Sequence, residues 1–172
     1  MLRKIFTGTV LFAALMVGVG HSQSNTASAD MSAVLSLPIS IFAGLGGIHF
    51  GGFMPGATAG TVVLPANPQE SRTSTGGVVL VVNYYGLPGE LMVNGEPDAG
   101  YVLQFTTDPV ILTGPSEATM SVTNITTFTG SGQFLLDNTG YQAVMFGGTV
   151  NVAANQLEGG YHGTLQITAS YL

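Results

Sequence analysis

The chain has 172 residues, with three basic and nine acidic side chains and no cysteine. Arg3 and Lys4 stand at the start, so residues 30–172 carry Arg72 alone against all nine acids, a net of 1 − 9 = −8. Such a surface neutralises no run of phosphates, which excludes nucleic acid as a partner and disfavours anionic membranes.

The first segment combines a basic start, an apolar stretch over residues 5–19 and the sequence Ala27-Ser28-Ala29. This is the pattern of a secretory signal peptide, and it predicts cleavage before Asp30. The apolar stretch is short for the ~20 residues of a spanning helix. With no cysteine near the boundary, a lipoprotein anchor is excluded. The ~140 residues that follow suit a single domain. Export also implies a compartment in which disulfides form, and this chain uses none.

Beyond residue 29 no segment has a helical period. Apolar residues recur at period two, and Gly, Pro and Asn-Gly interrupt them every 8 to 12 residues, which predicts an all-β sandwich. The predicted strands cover residues 33–42, 47–50, 61–64, 78–83, 90–93, 101–106, 110–112, 118–126, 143–152 and 161–171. Turns are expected at Pro55-Gly56, Asn94-Gly95, residues 98–100, Gly114-Pro115, residues 130–132 and residues 138–140.

The first of these strands is the most apolar. Ala33, Leu35, Leu37, Ile39 and Ile41 share one face, and Pro38, which has no N–H to donate, belongs on an edge or at an interruption. Gly44, Gly46 and Gly47 follow as a flexible joint. The expected organisation is therefore a signal over 1–29, an extension over 30–46 and a domain over 47–172. Two readings of the extension stand side by side. It is the first strand of its own sandwich, or it leaves its domain and completes a neighbour's sheet by strand addition.

The last strand alternates almost without error. Tyr161, Gly163, Leu165, Ile167, Ala169 and Tyr171 fall on one face, expected to line the core. His162, Thr164, Gln166, Thr168 and Ser170 fall on the other.

Chemistry is sparse. His49 and His162 are far apart and neither has a metal-ligand spacing partner, so no metal site, no cofactor and no catalytic residue is expected. Gly130-Ser131-Gly132 lacks the strand–turn–helix setting of a nucleophile elbow. Glu96 and Asp98 are two carboxylates in a Pro- and Gly-bearing loop, read as a solvated turn rather than as a glycosidase pair or a calcium loop. Asn124-Ile125-Thr126 matches a glycosylation sequon, a short pattern that carries little weight alone.

An ordered set of motifs carries a resemblance. It comprises residues 48–51 (IHFG), 55–62 (PGATAGTV) and 72–77 (RTSTGG), then Val150-Asn151-Val152, Asn155-Gln156, residues 160–163 (GYHG) and the alternating end. Together they resemble a widespread family of uncharacterised secreted bacterial domains, often encoded beside pilus chaperones and ushers. The end is also similar to that of chaperone–usher pilins, with Tyr171 as the penultimate tyrosine and Gly159 fourteen positions from the end. The resemblance implies an immunoglobulin-like sandwich that lacks its last strand. A periplasmic chaperone lends a strand during folding, and the N-terminal extension of another subunit later replaces it. It implies residues 33–41 as the donor strand, ~30 Å long at about 3.3 Å per residue, and a face of Gly159, Tyr161, Gly163, Leu165, Ile167, Ala169 and Tyr171 on the core side of the last strand. The partners it implies are other copies or pilins, the chaperone and an outer-membrane usher, in a fibre on the cell surface. The disulfide of some pilins is missing here. The competing expectation is a secreted binding module such as a carbohydrate-binding adhesin.

Overall fold

The computed structural model describes residues 28 and 30–172. The expected signal over residues 1–29 lies outside them, Ser28 apart. Leu35–Leu172 forms one compact unit, distinct from Met1–Val34, and it is the domain described below.

The domain is an all-β sandwich. In chain order its strands are β1 (Ser40–Gly46), β2 (Phe53–Met54), β3 (Gly60–Leu64), β4 (Thr73–Ser74), β5 (Val79–Leu80), β6 (Gly89–Asn94), β7 (Tyr101–Phe105), β8 (Val110–Thr113), β9 (Thr119–Phe128), β10 (Tyr141–Val152) and β11 (Ile167–Tyr171). Every pairing is antiparallel. The long β10 is the hub, with β6 and β3 in succession along one edge and β9 along the other. Beyond these, β1 pairs with β6 and β8 with β9. Residues 161–171 run beside β8 and then β7, through a bridge between His162 and Thr113 and through the β11–β7 ladder. The strands thus follow one another around the molecule as β1, β6, β10, β9, β8 with β7, and then the last segment. Among the described residues, the seam between that segment and β1 has neither a ladder nor a bridge.

Period-two burial builds the core. Leu91 and Val93 of β6, Val62 and Leu64 of β3, and Val144, Phe146, Val150 and Val152 of β10 all turn inward. All but Leu64 belong to one of two clusters. One gathers Val62, Val110, Met120, Val122 and Val150, and the other Val93, Tyr101, Leu136, Val144 and Phe146. Leu165 packs against both. Burying each large side chain contributes about 1.5–3 kcal/mol, so these alternating strands supply most of the drive to fold. Gly89 belongs to the same packing, since a Cβ there would stand 2.3 Å from the Phe146 ring.

Turn chemistry closes the hairpin before β10. One Asp137 carboxylate oxygen accepts from Thr139 N–H, the Thr139 hydroxyl and Tyr141 N–H at 2.8, 2.6 and 3.0 Å. These bonds, the Thr139 hydroxyl first, hold its pKa below the ordinary carboxylate value. Gly140, at φ 79°, takes the left-handed conformation that the tight turn requires.

The predicted strands at 61–64, 90–93, 101–106, 110–112, 118–126 and 143–152 all form, with ends shifted by one or two residues. The start of the chain differs. Residues 30–39 have no regular structure, and the first strand begins at Ser40. The expected glycine joint lies inside or beside that strand. Gly44 and Gly46 belong to β1, and the ladder with β6 is irregular between Ala43 and Gly46, where Gly46 takes φ 116°. Residues 47–50 form no strand, and only His49 makes a bridge, to Leu87. Pro38 and the glycines therefore frame a strand of this domain rather than a hinge after it.

Candidate functional site: an apolar groove beside an unpaired strand edge

The pairing of the last segment fixes what its other edge presents. His162 exchanges both main-chain bonds with Thr113, at 2.8 and 3.0 Å. Gln166 accepts from Thr106 N–H at 3.0 Å, and Leu172 N–H donates to Gly100 at 3.1 Å. In an antiparallel strand the polar groups of successive residues point to opposite edges. Even-numbered residues therefore bond toward β7 and β8. The N–H and C=O of Tyr161, Gly163, Leu165, Ile167, Ala169 and Tyr171 point to the seam.

At its lower end this seam is closed. β1 approaches β11 there, and Ile39, Ile41, Ile167 and Tyr171 all pack on the second core cluster. Three hydrogen bonds lock the junction. The Tyr171 hydroxyl accepts from Glu96 N–H at 2.6 Å and donates to Leu37 C=O at 2.8 Å, and Leu37 N–H donates to a Glu96 carboxylate oxygen at 2.9 Å. Gly95 leaves room for this clasp, since a Cβ on it would stand 2.1 Å from the Tyr171 oxygen.

At the upper end the seam opens into a groove of about 1170 Å³. One wall is residues 159–165. The other starts at Ala43 and continues through residues 46–51. Core side chains form the floor, among them Leu91, Val110, Met120, Val122, Phe146 and Val150. The interior of the sandwich is thus reached from outside along a strand edge whose hydrogen bonds no described residue takes. An unpaired edge over an apolar floor is a template for another strand.

The expected donor residues divide at the clasp. Ala33, Leu35 and Leu37 are exposed, Leu35 by 98%, whereas Ile39 and Ile41 are half-buried in their own domain, with Ile41 opposite Val93 of β6. Of the two readings of the extension, the own-sheet one describes residues 40–46. Residues 30–37 carry the remaining exposed alternation, with Met31, Ala33, Leu35 and Leu37 in step.

On the last strand, Tyr161, Leu165, Ile167, Ala169 and Tyr171 are half-buried, while the even-numbered residues 162–170 are exposed. Tyr161 is fixed by its hydroxyl, which donates to Leu157 C=O and accepts from Gln156 Nε2, both at 2.8 Å. Gly159 and Gly163 are exposed at the groove wall. A regular ladder covers only residues 167–171, so the expected strand over 161–171 is half ladder and half open wall.

His49 and His162 are exposed and enter the sheet through main-chain bridges. Among the described residues no three His, Asp or Glu side chains stand close enough to hold a metal ion. Ser131 bonds within its own turn, to Gln133 C=O. Glu96 and Asp98 do lie in a turn, with Asp98 at φ 59°, but Glu96 also holds the chain at Leu37.

Two features escaped the sequence. Arg72 turns its guanidinium on the carbonyls of Phe50, Val81 and Tyr84, the last two at 3.0 and 2.6 Å. It thereby fixes residues 81–84 against the groove wall. The Tyr84-Tyr85 pair on that loop is exposed at the groove mouth. A lone Lys or Arg within residues 30–172 was the available signal for the first, and two adjacent aromatics in a loop for the second.

A family model described as a domain of unknown function (DUF4402) matches residues 40–171. The chain belongs to this family. The DUF4402 domain starts at the first residue of β1, so the exposed residues 30–37 stand before it, while the groove and both its walls lie within it. No curated protein and no solved structure matches the chain.

Proposed function

We propose that this protein is an exported structural subunit of a bacterial surface fibre, related to chaperone–usher pilins. It polymerises when residues before the clasp of one copy fill the groove of the next. The observation that carries this reading is the unpaired edge of residues 161–165 above an apolar groove, in a chain that also carries an exposed apolar strand sequence. An inserted strand would satisfy the main-chain groups that point into the seam and cover the core floor. Each large side chain so buried contributes about 1.5–3 kcal/mol. Donor and acceptor surfaces sit on different parts of the chain, so the contact is head-to-tail and extends into a filament. A periplasmic chaperone would cover the groove before assembly, and an usher would pass subunits outward to the cell surface. In this reading the domain is not an enzyme.

The test uses protein that begins at Asp30 and a form that lacks residues 30–36. The shortened form should stay monomeric and should bind a synthetic peptide of residues 30–41. Its melting temperature should rise with peptide concentration, by mass action on the folded state. A peptide with Leu35→Asp should have no effect. Electron microscopy of the longer protein, or of material sheared from cells, should show filaments. A monomer at high concentration whose residues 33–36 are protected from hydrogen exchange would overturn the proposal, because the segment would then serve its own domain.

A further inference from the structure

The two ends of the seam are not equivalent for an approaching copy. At the lower end the chain's own Leu37 is clasped by Glu96 and Tyr171, and Ile39 packs beside them. That end is filled. The groove has its mouth at the other end, between residues 46–51 and residues 159–163, and Tyr84, Tyr85 and Leu87 stand on its rim. Whatever fills the groove must connect to its own domain through this mouth, so the body of a neighbouring copy comes to rest against the rim.

The rim is built for contact. Val82, Tyr84, Tyr85 and Leu87 are all exposed, Tyr85 by 74%. An unsupported loop with four large exposed side chains loses entropy on docking. This one is held in advance. Arg72, the only cation in residues 30–172, is committed to three carbonyls around it. Val81 N–H also bonds Gly52 C=O at 3.0 Å, and Gly52 N–H bonds Tyr84 C=O at 3.1 Å. Rigid, amphipathic tyrosines with little rotamer freedom are what protein contact surfaces favour.

Building on the fibre reading above, we infer that the Val82–Leu87 loop is a second docking surface for the next copy of this chain. It receives the end of that copy from which residues 30–37 emerge. That end presents an exposed Leu172, whose N–H bonds Gly100 C=O just after the exposed Pro97 and Asp98, an apolar residue for the tyrosine rings and a nearby acidic turn for their hydroxyls. The groove supplies the strand contact, and the loop sets the angle and stiffness between subunits.

The absence of native cysteine makes the test direct. Single variants Tyr85→Cys and Leu172→Cys, both at exposed positions, are mixed and oxidised after assembly. Disulfide-linked dimers should form in the mixture and not in either variant alone. In a second arm, Val82→Ser, on the same loop but not lining the groove, should leave capture of the residue 30–41 peptide unchanged, yet release monomer from the fibre at a concentration about tenfold higher, the loss expected for a contact hot spot. Fibres of unchanged stability with no Tyr85–Leu172 cross-link would overturn the inference while leaving the groove reading intact. Unchanged fibres together with lost binding to a glycan array would overturn it in favour of a sugar site. If the peptide fails to bind even the native groove, the fibre reading falls and this inference falls with it.

Discussion

The two halves of the last segment carry one sequence pattern and meet two different fates. Residues 167–171 are laddered to β7, and their seam side is sealed by β1 and by the Leu37–Glu96–Tyr171 clasp. Residues 161–165 continue the alternation, with Tyr161 and Leu165 half-buried and Gly163 exposed, yet their seam side faces a groove. Alternation fixes which face of a strand turns inward, because side chains follow a period of two. It says nothing about whether the edge has a partner. That depends on how far the neighbouring strand reaches, and here β1 ends in glycines just where the groove begins.

The largest way to break the sealed half is a charge on its core face. Ile167→Asp should cost several kcal/mol in urea unfolding, since the carboxylate would be buried without a partner. Changing Gln166 to Ser, one residue away on the exposed face, should stay within about 0.5 kcal/mol. Equal losses would mean that the register of this strand is wrong.

Alkaline pH tests the same half from its partner strand. Tyr101 lies opposite Tyr171 in the ladder, and burial pushes its phenol up to about 12 from 10.0. The folded protein then holds the proton more tightly than the unfolded chain. Stability should be complete below about pH 10 and fall as pH rises toward 12. Tyr101→Phe should remove that part of the decline, as read from unfolding midpoints across the window.

A smaller effect is expected at the clasp. Tyr171→Phe deletes one bond donated to Leu37 and one accepted from Glu96, which should cost about 1–2 kcal/mol. The sharper readout is local: amide exchange at residues 39–41 should speed up more than exchange in β10. Uniform acceleration would mean that the hydroxyl serves the whole domain rather than the junction.

The finest comparison needs no mutation. In the domain without a donor, the amides of Gly163 and Leu165 should exchange at least about tenfold faster than those of Thr168 and Ser170, which bond across to β7. Addition of the residue 30–41 peptide should close the gap. Equal protection at the outset would mean that the groove wall is already paired.

Much of the sheet was legible because its strands announce themselves in isolation. β3, β6, β9 and β10 combine apolar residues at period two with flanking turns, and all four appear where the sequence places them. The two-residue strands β2 and β4 were not legible, since Phe53–Met54 and Thr73–Ser74 are too short to have a period. At the N-terminal side the apolar alternation runs on from Ala33 into β1 without a sign of where pairing starts. That boundary is set by Leu37, whose two main-chain bonds go to side chains 59 and 134 residues away.

The sequence by itself determined the class of this protein: a β-sandwich, poor in charge, with no cysteine and with a last strand of fixed facing. Those features are local, written in composition and in a period of two, and no fold is needed to read them. Tertiary structure decided where the first strand begins, which half of the last strand is left without a partner, and what Arg72, Glu96 and Tyr84 do. Each of these depends on which distant backbone arrives within hydrogen-bonding range. A pattern of residue types along one strand carries no record of that.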